Sequence, residues 1–447
     1  MTSHIQIHLF NKTLKMHVVR KHKRVKGAKP SDQEALDTPS NEETTHLEKR
    51  LMDNPQSSSS KSFQNFFATL KFLLRDKIVF KLFSNKKVSN VNCYSDYNDG
   101  LIYKQKEFFN ENLNRIELLL FQDAFENCNP LASSKKKHKL LGVYMMIGNI
   151  PKEFRSNIHN IQLVLLCKDT YIKLFGFEKI MAPLICDLRK LEENGIDFLL
   201  DGSNQNYRGT LFSMLGDNLG SLQIGGYTEN FSSSKFMSRY CLFKRENLIY
   251  FNVDIGEKRT RQNYEACLNN LSNPPDFGMG IKKDSCLNEL GYFHVCEGLP
   301  PCISHDLFEG IIPYDLMEVC KYMCIQDVIS IDYINMSLSS LRKKFKLKLS
   351  FPHVNLNMKK TPGKADEILH FLVIFPFIFF NKSSINKDPV WKFLTVMIEM
   401  CRLINSSELD ENQISLLSHC ITVYMEYRRE CFPLSKLWPK HHYICHI

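Results

Sequence analysis

The sequence predicts an α/β core followed by a largely helical region. Four apolar runs of strand length are bounded by turn residues: Ile116–Asp123, Leu140–Ile147, Ile161–Cys167 and Gly209–Leu215. A helical pattern from Ile172 to Asn194 lies between the third and fourth runs, and Gly195 after it is a typical helix C-cap. Three strands, a helix and a further strand form an alternation that is typical of an α/β domain.

The region before this core is predicted to be a disordered tail and a short helical segment. Residues 1–62 are polar and contain several prolines and a run of serines, a composition that buries too little apolar surface to fold. A basic run inside this tail, Arg20–Lys29, is typical of a nuclear-import signal, a phosphate-binding arm or a solvated tail. Over 63–110, apolar residues at helical spacing predict a helix at Phe63–Phe83, followed by a linker.

The core is predicted to span residues 111–225, and residues 226–447 are predicted to form an insertion and a helical region. Mixed loops are expected up to residue 311. Amphipathic patterns then predict four helices: Leu316–Cys324, Ile368–Phe380, Val390–Leu403 and Gln413–Cys431. The most apolar run, Phe371–Phe380, contains Pro376 and is too short to cross a bilayer, so it predicts a buried helix and no membrane partner.

Composition and charge limit the functional classes. The chain has 447 residues, 43% of them hydrophobic, which is enough for two or three domains with a sizeable core. Its net charge of +10 is compatible with a nucleic-acid partner without requiring one. The 15 cysteines are scattered, and no charged leader precedes a long apolar stretch. These features favour reduced thiols and a soluble protein of the nucleus or cytosol.

Two aspartates stand at the ends of predicted strands. Asp123 closes the first strand, and Asp217 follows the fourth. Two such carboxylates can bind paired divalent ions, Mg²⁺ or Mn²⁺, which clamp the attacking and leaving oxygens of a phosphodiester. The ordinary alternatives are a strand-end carboxylate for Asp123 and an Asp-Asn turn for Asp217. The basic residues that follow the first acid and can contact a DNA backbone are Lys135, Lys136, Lys137 and Lys139.

Seven blocks of sequence, in order along the chain, resemble the CACTA/EnSpm-like DNA transposases of the animal branch. The blocks are Phe121–Leu131, Ile161–Cys167, Gly216–Gly220, Gly225–Phe231, Tyr292–Cys296, Gly298–Gly310 and Trp438–His446. The resemblance implies a DDE-type recombinase with a ribonuclease-H-like core that is interrupted and followed by a largely helical region. It also implies a nuclear protein that acts on DNA, and it leaves homo-oligomers open.

The resemblance implies that Asp123 and Asp217 are the first two metal-binding acids. In this family the third acid, a glutamate, lies on a late helix after the histidine block, whereas this sequence stops at Ile447. The expectation is a truncated, catalytically inactive, transposase-derived protein. Glu309 is the motif-embedded candidate for a replacement acid, and its ordinary alternative is a helix-surface carboxylate. An acid supplied by a partner chain is another route to activity.

The resemblance also implies a structural zinc site. The family carries a Cys-x2-Cys pair after the second acid and paired histidines near the C-terminus, which together can bind zinc tetrahedrally. Here Ser238 stands in place of the first cysteine and Cys241 is retained; a serine hydroxyl is a poor zinc ligand. His442 and His446 are the paired histidines, with His441 as an alternative partner.

A second ligand-like pair and the remaining functional alternatives complete the expectations. Cys302 and His305 have ligand spacing, and the ordinary alternative is a buried thiol beside a hydrogen-bonded histidine. The sequence has neither a phosphate-binding P-loop nor a serine nucleophile elbow. Three functions remain: an inactive transposase-derived protein that binds DNA, an active metal-dependent nuclease or strand-transferase, and a host-adopted scaffold that binds DNA or protein.

Overall fold

The computed structural model describes most of the chain after the N-terminal tail. The described residues are 65–84, 92–126, 139–230, 234–250, 256–271, 279–344, 353–379 and 387–447. The predicted tail at 1–62 and the basic residues Lys135, Lys136 and Lys137 therefore lie outside the described residues. Within these ranges, no helix combines the length and the apolar character needed to cross a membrane.

A five-stranded mixed sheet forms the centre of the predicted core. The described strands are β1 (Cys93–Tyr94), β2 (Arg115–Glu126), β3 (Lys139–Ile147), β4 (Gln162–Lys168), β5 (Ile196–Leu200), β6 (Ser203–Leu215) and β7 (Leu409–Asp410). The sheet has the order β4-β3-β2-β6-β5. Its β2 and β6 are parallel, whereas the other neighbours are antiparallel. The predicted α/β class is confirmed at the level of a mixed sheet with helices packed on it.

The described helices cover the sheet first and then form a separate helical body, which comprises α10 to α15. The α-helices are α1 (Phe66–Arg75), α2 (Lys77–Ser84), α3 (Leu101–Lys104), α4 (Glu107–Glu111), α5 (Lys152–Arg155), α6 (Asp169–Glu193), α7 (Asn218–Ile224), α8 (Arg261–Asn269), α9 (Val295–Gly298), α10 (Ile312–Ile325), α11 (Ile331–Lys344), α12 (Ala365–Ile378), α13 (Pro389–Ile404), α14 (Glu411–Cys431) and α15 (Pro439–Tyr443). A wider π-type helix, Ser304–Ile311, precedes α10 and is interrupted at Gly310.

Side chains alternate between the two faces of the sheet along β2. Leu118 and Leu120 face the layer that includes α6, whereas Leu119 and Phe121 face a layer of aromatic side chains. The aromatic layer includes Tyr97, Phe108, Phe109, Tyr144 and Phe212. Burial on both faces explains the uninterrupted apolar run of this strand. Leu119, Phe121 and Asp123 are alternate residues of the strand, so the Asp123 side chain lies on the aromatic face.

The predicted strands are confirmed, and the structure adds one hairpin. The predicted strand Gly209–Leu215 extends back to Ser203, because residues 203–208 pair with β5. Asp201 and Gly202 form the turn with positive φ values of 46° and 83°, which an Asp-Gly pair adopts readily. The predicted helix after the third strand is present as α6, interrupted at Gly176 where φ is 78°.

A buried ion pair holds three elements of the helical body together. Arg428 Nε on α14 lies 3.1 Å from Asp315 Oδ1 on α10, and both side chains are buried. The Tyr424 hydroxyl donates to the same carboxylate, and His441 Nε2 on α15 lies 3.8 Å from it. Burial alone raises the pKa of the Asp315 carboxyl, but the charge of Arg428 opposes this and the pKa is lowered. Asp315 is therefore a charged group inside the helical body.

The helical body is also joined to the segment that precedes the sheet. β1 pairs with β7, and Lys152 Nζ donates to the backbone oxygens of Ser95 and Ser407 at 2.9 and 2.8 Å. The four helices predicted for this region are confirmed as α10, α12, α13 and α14. The prediction missed α11, because this polar helix buries only Ile334 and Leu338 and so has a weak apolar pattern.

Candidate metal centres

Of the two aspartates predicted to bind divalent ions, Asp123 lies on β2 and Asp217 lies just after the neighbouring strand β6. β2 and β6 are parallel neighbours, and Phe121 pairs with Leu215. Asp123 and Asp217 each lie two residues beyond these partners. The carboxyl ends of parallel strands meet at the same sheet edge, which is a common location for ligands in α/β proteins. The fold therefore delivers both carboxylates to one region.

Asp123 lies opposite a glycine and close to a tyrosine. It pairs with Gly142 on β3, and a Cβ atom at Gly142 would lie 2.9 Å from the Tyr144 hydroxyl oxygen. The Tyr144 ring therefore fills the space that a side chain at position 142 would need. Burial raises the pKa of Tyr144 to about 12, and the negative charge of Asp123 adds to this rise. At neutral pH the tyrosine is thus a protonated hydroxyl near the first acid.

Asp217 is the N-cap of α7. Its Oδ1 accepts a hydrogen bond from the Gly220 amide at 2.6 Å, which fixes the carboxylate at the start of the helix. The Gln122 side chain lies against the same loop, since a Cβ at Gly220 would be 3.1 Å from Gln122 Nε2 and one at Gly216 would be 3.0 Å from its Cγ. Both glycines leave room for this amide.

Gln122 is a site residue that the sequence prediction missed. It is 3% exposed, and neither polar atom of its amide has a hydrogen-bond partner within the described structure. Buried amides without partners are rare in proteins, and they indicate a place for water or a ligand group. A polar residue between the apolar run Leu118–Phe121 and Asp123 is the signal that could have identified it.

Glu309, the candidate replacement acid, lies beside a histidine of its own block. Its Oε2 is 3.7 Å from His305 Nε2 in the π-type helix, and its side chain is 32% exposed. Across the described ranges, no third His, Cys, Asp or Glu joins Asp123 and Asp217 in a group whose ligand atoms all lie within 4.8 Å of one another. Glu309 is therefore not grouped with the acid pair.

Cys241, His442 and His446 come together and form what we call the Cys–His cluster. His442 Nε2 lies 3.0 Å from Cys241 Sγ and 3.1 Å from His446 Nε2. All three ligand atoms lie within 4.8 Å of one another, and the described residues contain no other such group. One thiol and two imidazoles are donors that suit Zn²⁺, and they supply three of the four corners of a tetrahedron.

The Cys–His cluster is largely buried, and its histidines are neutral. The ring of His442 stacks on Phe243 with centroids 4.3 Å apart. Burial lowers the pKa of His442 to about 2, with a further contribution from the neighbouring His446. Burial likewise lowers the pKa of His446 to about 4, and the charge of Arg239 adds to this. Neutral imidazoles offer the lone pairs that a metal ion needs, without prior loss of a proton.

The other predicted zinc ligands make different contacts. His441 Nδ1 accepts a hydrogen bond from the Trp438 amide at 2.9 Å, and its Nε2 faces Asp315. Cys302 Sγ lies 2.9 Å from His305 Nδ1. None of these three residues belongs to the Cys–His cluster. For Cys302 and His305 the contact matches the ordinary alternative, a buried thiol beside a hydrogen-bonded histidine.

Lys139 is the one predicted DNA contact that falls within the described residues. It begins β3 and pairs with Glu126 at the end of β2, three residues after Asp123. Lys139, the last of the predicted DNA-contacting lysines, thus lies near Asp123. A second basic run, Lys258–Arg261, contains Arg259, which is buried and donates to the backbone oxygen of Ser238 at 3.0 Å. Arg259 therefore has a structural role instead of a phosphate contact.

The buried histidines predict that the metal-free protein is sensitive to acid. The pKa of His442 is lowered from 6.5 to about 2 and that of His446 from 6.5 to about 4. Between these values and 6.5 the unfolded chain binds more protons than the folded protein, so the free energy of unfolding decreases as the pH falls. Urea unfolding of chelator-treated protein between about pH 7 and about pH 4.5 measures this effect. His446→Gln is expected to weaken the dependence of the free energy of unfolding on pH. A free energy of unfolding that stays constant over this pH range would contradict the prediction.

The acid pair at the sheet edge and the Cys–His cluster are thus two separate candidate centres. Comparison of the chain with protein-family models finds no match, and comparison with curated proteins finds none either.

Proposed function

We propose that this chain is a transposase-derived protein whose ribonuclease-H-like core binds DNA through divalent metal ions held by Asp123 and Asp217. The observation that carries the proposal is the parallel pairing of β2 and β6, which brings both acids to one sheet edge. Three antiparallel strands and a helix, followed by a hairpin whose second strand, β6, returns beside β2, support such a core. The resemblance to CACTA/EnSpm-like transposases supports DNA as the partner and the nucleus as the compartment.

The chemistry of the acid pair fits Mg²⁺ or Mn²⁺. Carboxylate oxygens are the hard ligands that these ions prefer, and ions bound in this way hold phosphate oxygens as further ligands. A two-ion site for strand cleavage normally needs a third carboxylate. Among the described residues no third ligand is grouped with Asp123 and Asp217. We therefore propose metal-dependent DNA binding, without strand cleavage by this chain alone.

In the same proposal the Cys–His cluster binds a structural Zn²⁺. Cys241 follows α7, whereas His442 lies in α15, and these two ligands are 201 residues apart in the chain. An ion shared by both segments joins the loop after the acid site to the end of the helical body. It stabilises the folded state because the unfolded chain does not assemble the ligands.

Asp217→Asn is expected to weaken Mn²⁺-dependent DNA binding by about tenfold or more, since the ion loses a charged ligand. Asparagine caps helices as well as aspartate does, so the contact with Gly220 and the fold should be retained. Fluorescence anisotropy of a labelled duplex, titrated with protein at several Mn²⁺ concentrations, measures the change. Asp332→Asn, at an exposed aspartate of α11, is the matched control and is expected to bind as the wild type does.

Supercoiled plasmid incubated with Mn²⁺ tests the second half of the proposal. The wild-type chain is expected to leave the plasmid intact. Nicking that Asp217→Asn abolishes would show a complete catalytic site and would replace the proposal with an active nuclease. A DNA affinity that does not depend on Mn²⁺ and is the same in the wild type and Asp217→Asn would contradict a role for the acid pair.

A further inference from the structure

A buried arginine contacts the residue next to Asp217. Arg239 is 1% exposed, and its Nη1 donates to Asn218 Oδ1 at 2.8 Å. Its Nη2 donates to the Pro300 backbone oxygen at 3.0 Å, and its Nε donates to the Leu299 backbone oxygen at 3.4 Å. Three acceptors therefore fix the plane of the guanidinium group, and one of them is the side chain of the residue that follows Asp217.

Asn218 extends this contact to a buried carboxylate. Its Oδ1 accepts from Arg239, and its Nδ2 donates to Asp306 Oδ1. Asp306 is 0% exposed, and its Oδ2 has no hydrogen-bond partner within the described structure. The amide thus bridges two opposite charges inside the protein, and only one orientation of the amide satisfies both neighbours. Because a buried charge needs compensation, the bridge to Arg239 matters for Asp306.

The bridged residue is the first residue of α7, and Asp217 directly precedes it. Asp217 is the N-cap, and its carboxylate is held by the Gly220 amide. Asp217 and Asn218 share a peptide plane, so a displacement of Asn218 also shifts the backbone that carries the Asp217 carboxylate. Metal ligands must be held within about half an ångström of their productive positions, so even a small turn matters.

We propose that Arg239, acting through Asn218 and Asp306, positions the Asp217 carboxylate and thereby sets the affinity of the acid pair for divalent ions. This inference rests on the proposed function of Asp123 and Asp217. Arg239 contacts neither the ion nor DNA in this role. It also lies two residues before Cys241, so the same short segment contributes to the Cys–His cluster.

The test compares two buried arginines in the full chain. Arg259 is buried like Arg239, but it donates to the backbone oxygen of Ser238 and lies over the Tyr227 ring at 5.4 Å. Arg239→Met is expected to lower the Mn²⁺ affinity about tenfold relative to Arg259→Met. Arg239→Lys keeps the charge but cannot reach three acceptors at once, so a smaller loss is expected. Electron paramagnetic resonance of free Mn²⁺ gives the affinity.

Zinc content and the thermal unfolding midpoint are measured for each variant. Unchanged zinc content together with weakened Mn²⁺ binding supports a positioning role for Arg239. Loss of zinc together with Mn²⁺ would indicate that the whole segment unfolds, and it would overturn the positioning role. Equal Mn²⁺ affinity in Arg239→Met and Arg259→Met overturns the inference and leaves the proposed function standing. A wild-type chain that binds no Mn²⁺ overturns the proposed function and the inference together. If Arg239→Met does not fold, Arg239→Lys against Arg259→Lys gives the same comparison, and no difference between them overturns the inference.

Discussion

Replacing Arg428 by methionine is expected to lower the free energy of unfolding by about 3–5 kcal/mol. The change leaves the Asp315 carboxylate inside the helical body without the cation that lies 3.1 Å from it. Methionine fills much of the arginine volume, so the loss comes from the unpaired carboxylate and from the missing hydrogen bonds to the Ser435 and Lys436 backbone oxygens, and not from a cavity. Tyr424 still donates to the carboxylate, but a hydroxyl does not replace a charge. Urea unfolding at neutral pH measures the difference.

The next residue along α14 supplies the control. Arg429 is exposed, so Arg429→Met is expected to change the stability by about 0.5 kcal/mol or less. The double variant Asp315→Asn, Arg428→Met removes both charges and is expected to recover part of the loss, because the unpaired buried charge is then absent while the hydrogen bonds to the Ser435 and Lys436 backbone oxygens are still missing. A midpoint for Arg428→Met that equals the midpoint of Arg429→Met would show that the ion pair does not hold these helices together.

Ser238→Cys is expected to tighten zinc binding about a hundredfold. A structural zinc site contributes roughly 10–16 kcal/mol through four ligands, so one added thiolate is worth about 3 kcal/mol. Ser238 is buried and lies three residues before Cys241, the spacing of a zinc-binding cysteine pair. Competition with a chromophoric chelator, in reducing buffer, gives the zinc Kd of the wild type and the variant.

Ser238→Ala separates the added thiol from the lost hydroxyl. The Ser238 hydroxyl oxygen accepts a hydrogen bond from the Tyr240 amide at 3.1 Å, and alanine removes only that contact. Ser238→Ala is expected to bind zinc as the wild type does. Equal zinc affinity in Ser238→Cys and Ser238→Ala would show that the side chain at position 238 does not reach the Cys–His cluster.

The strands of the core were predictable because their apolar runs are buried on both faces of the sheet. The same runs located Asp123 and Asp217, since each acid follows the point where the apolar pattern stops. Their proximity could not be read from that pattern, because it depends on β6 pairing with β2. The β5 hairpin was missed because the first half of β6, from Ser203 to Arg208, is polar. The Asp-Gly pair at its turn was the available signal.

The buried polar contacts around Asp217 were beyond sequence reasoning. Asn218 contacts Asp306, which is 88 residues away, and Arg239, which is 21 residues away. Arginine and aspartate are rarely buried, so both are expected on the surface unless a partner is known. The zinc ligands differ, because the family resemblance named Cys241, His442 and His446 and the structure brings these three together, whereas Cys302 and His305, named for their spacing, do not join them. Local spacing does not distinguish these cases.

The separation of Cys241 from His442 imposes an order on events at the ribosome. The two residues are 201 positions apart. At roughly 5–20 residues per second, the cysteine is synthesised on the order of 10–40 s before its histidine partners. The five-stranded sheet ends at Leu215, so all its strands are available before that interval begins. In the proposed zinc site, the ion can gain both kinds of ligand only after His442 has been synthesised, when the sheet with its two acids has already been translated.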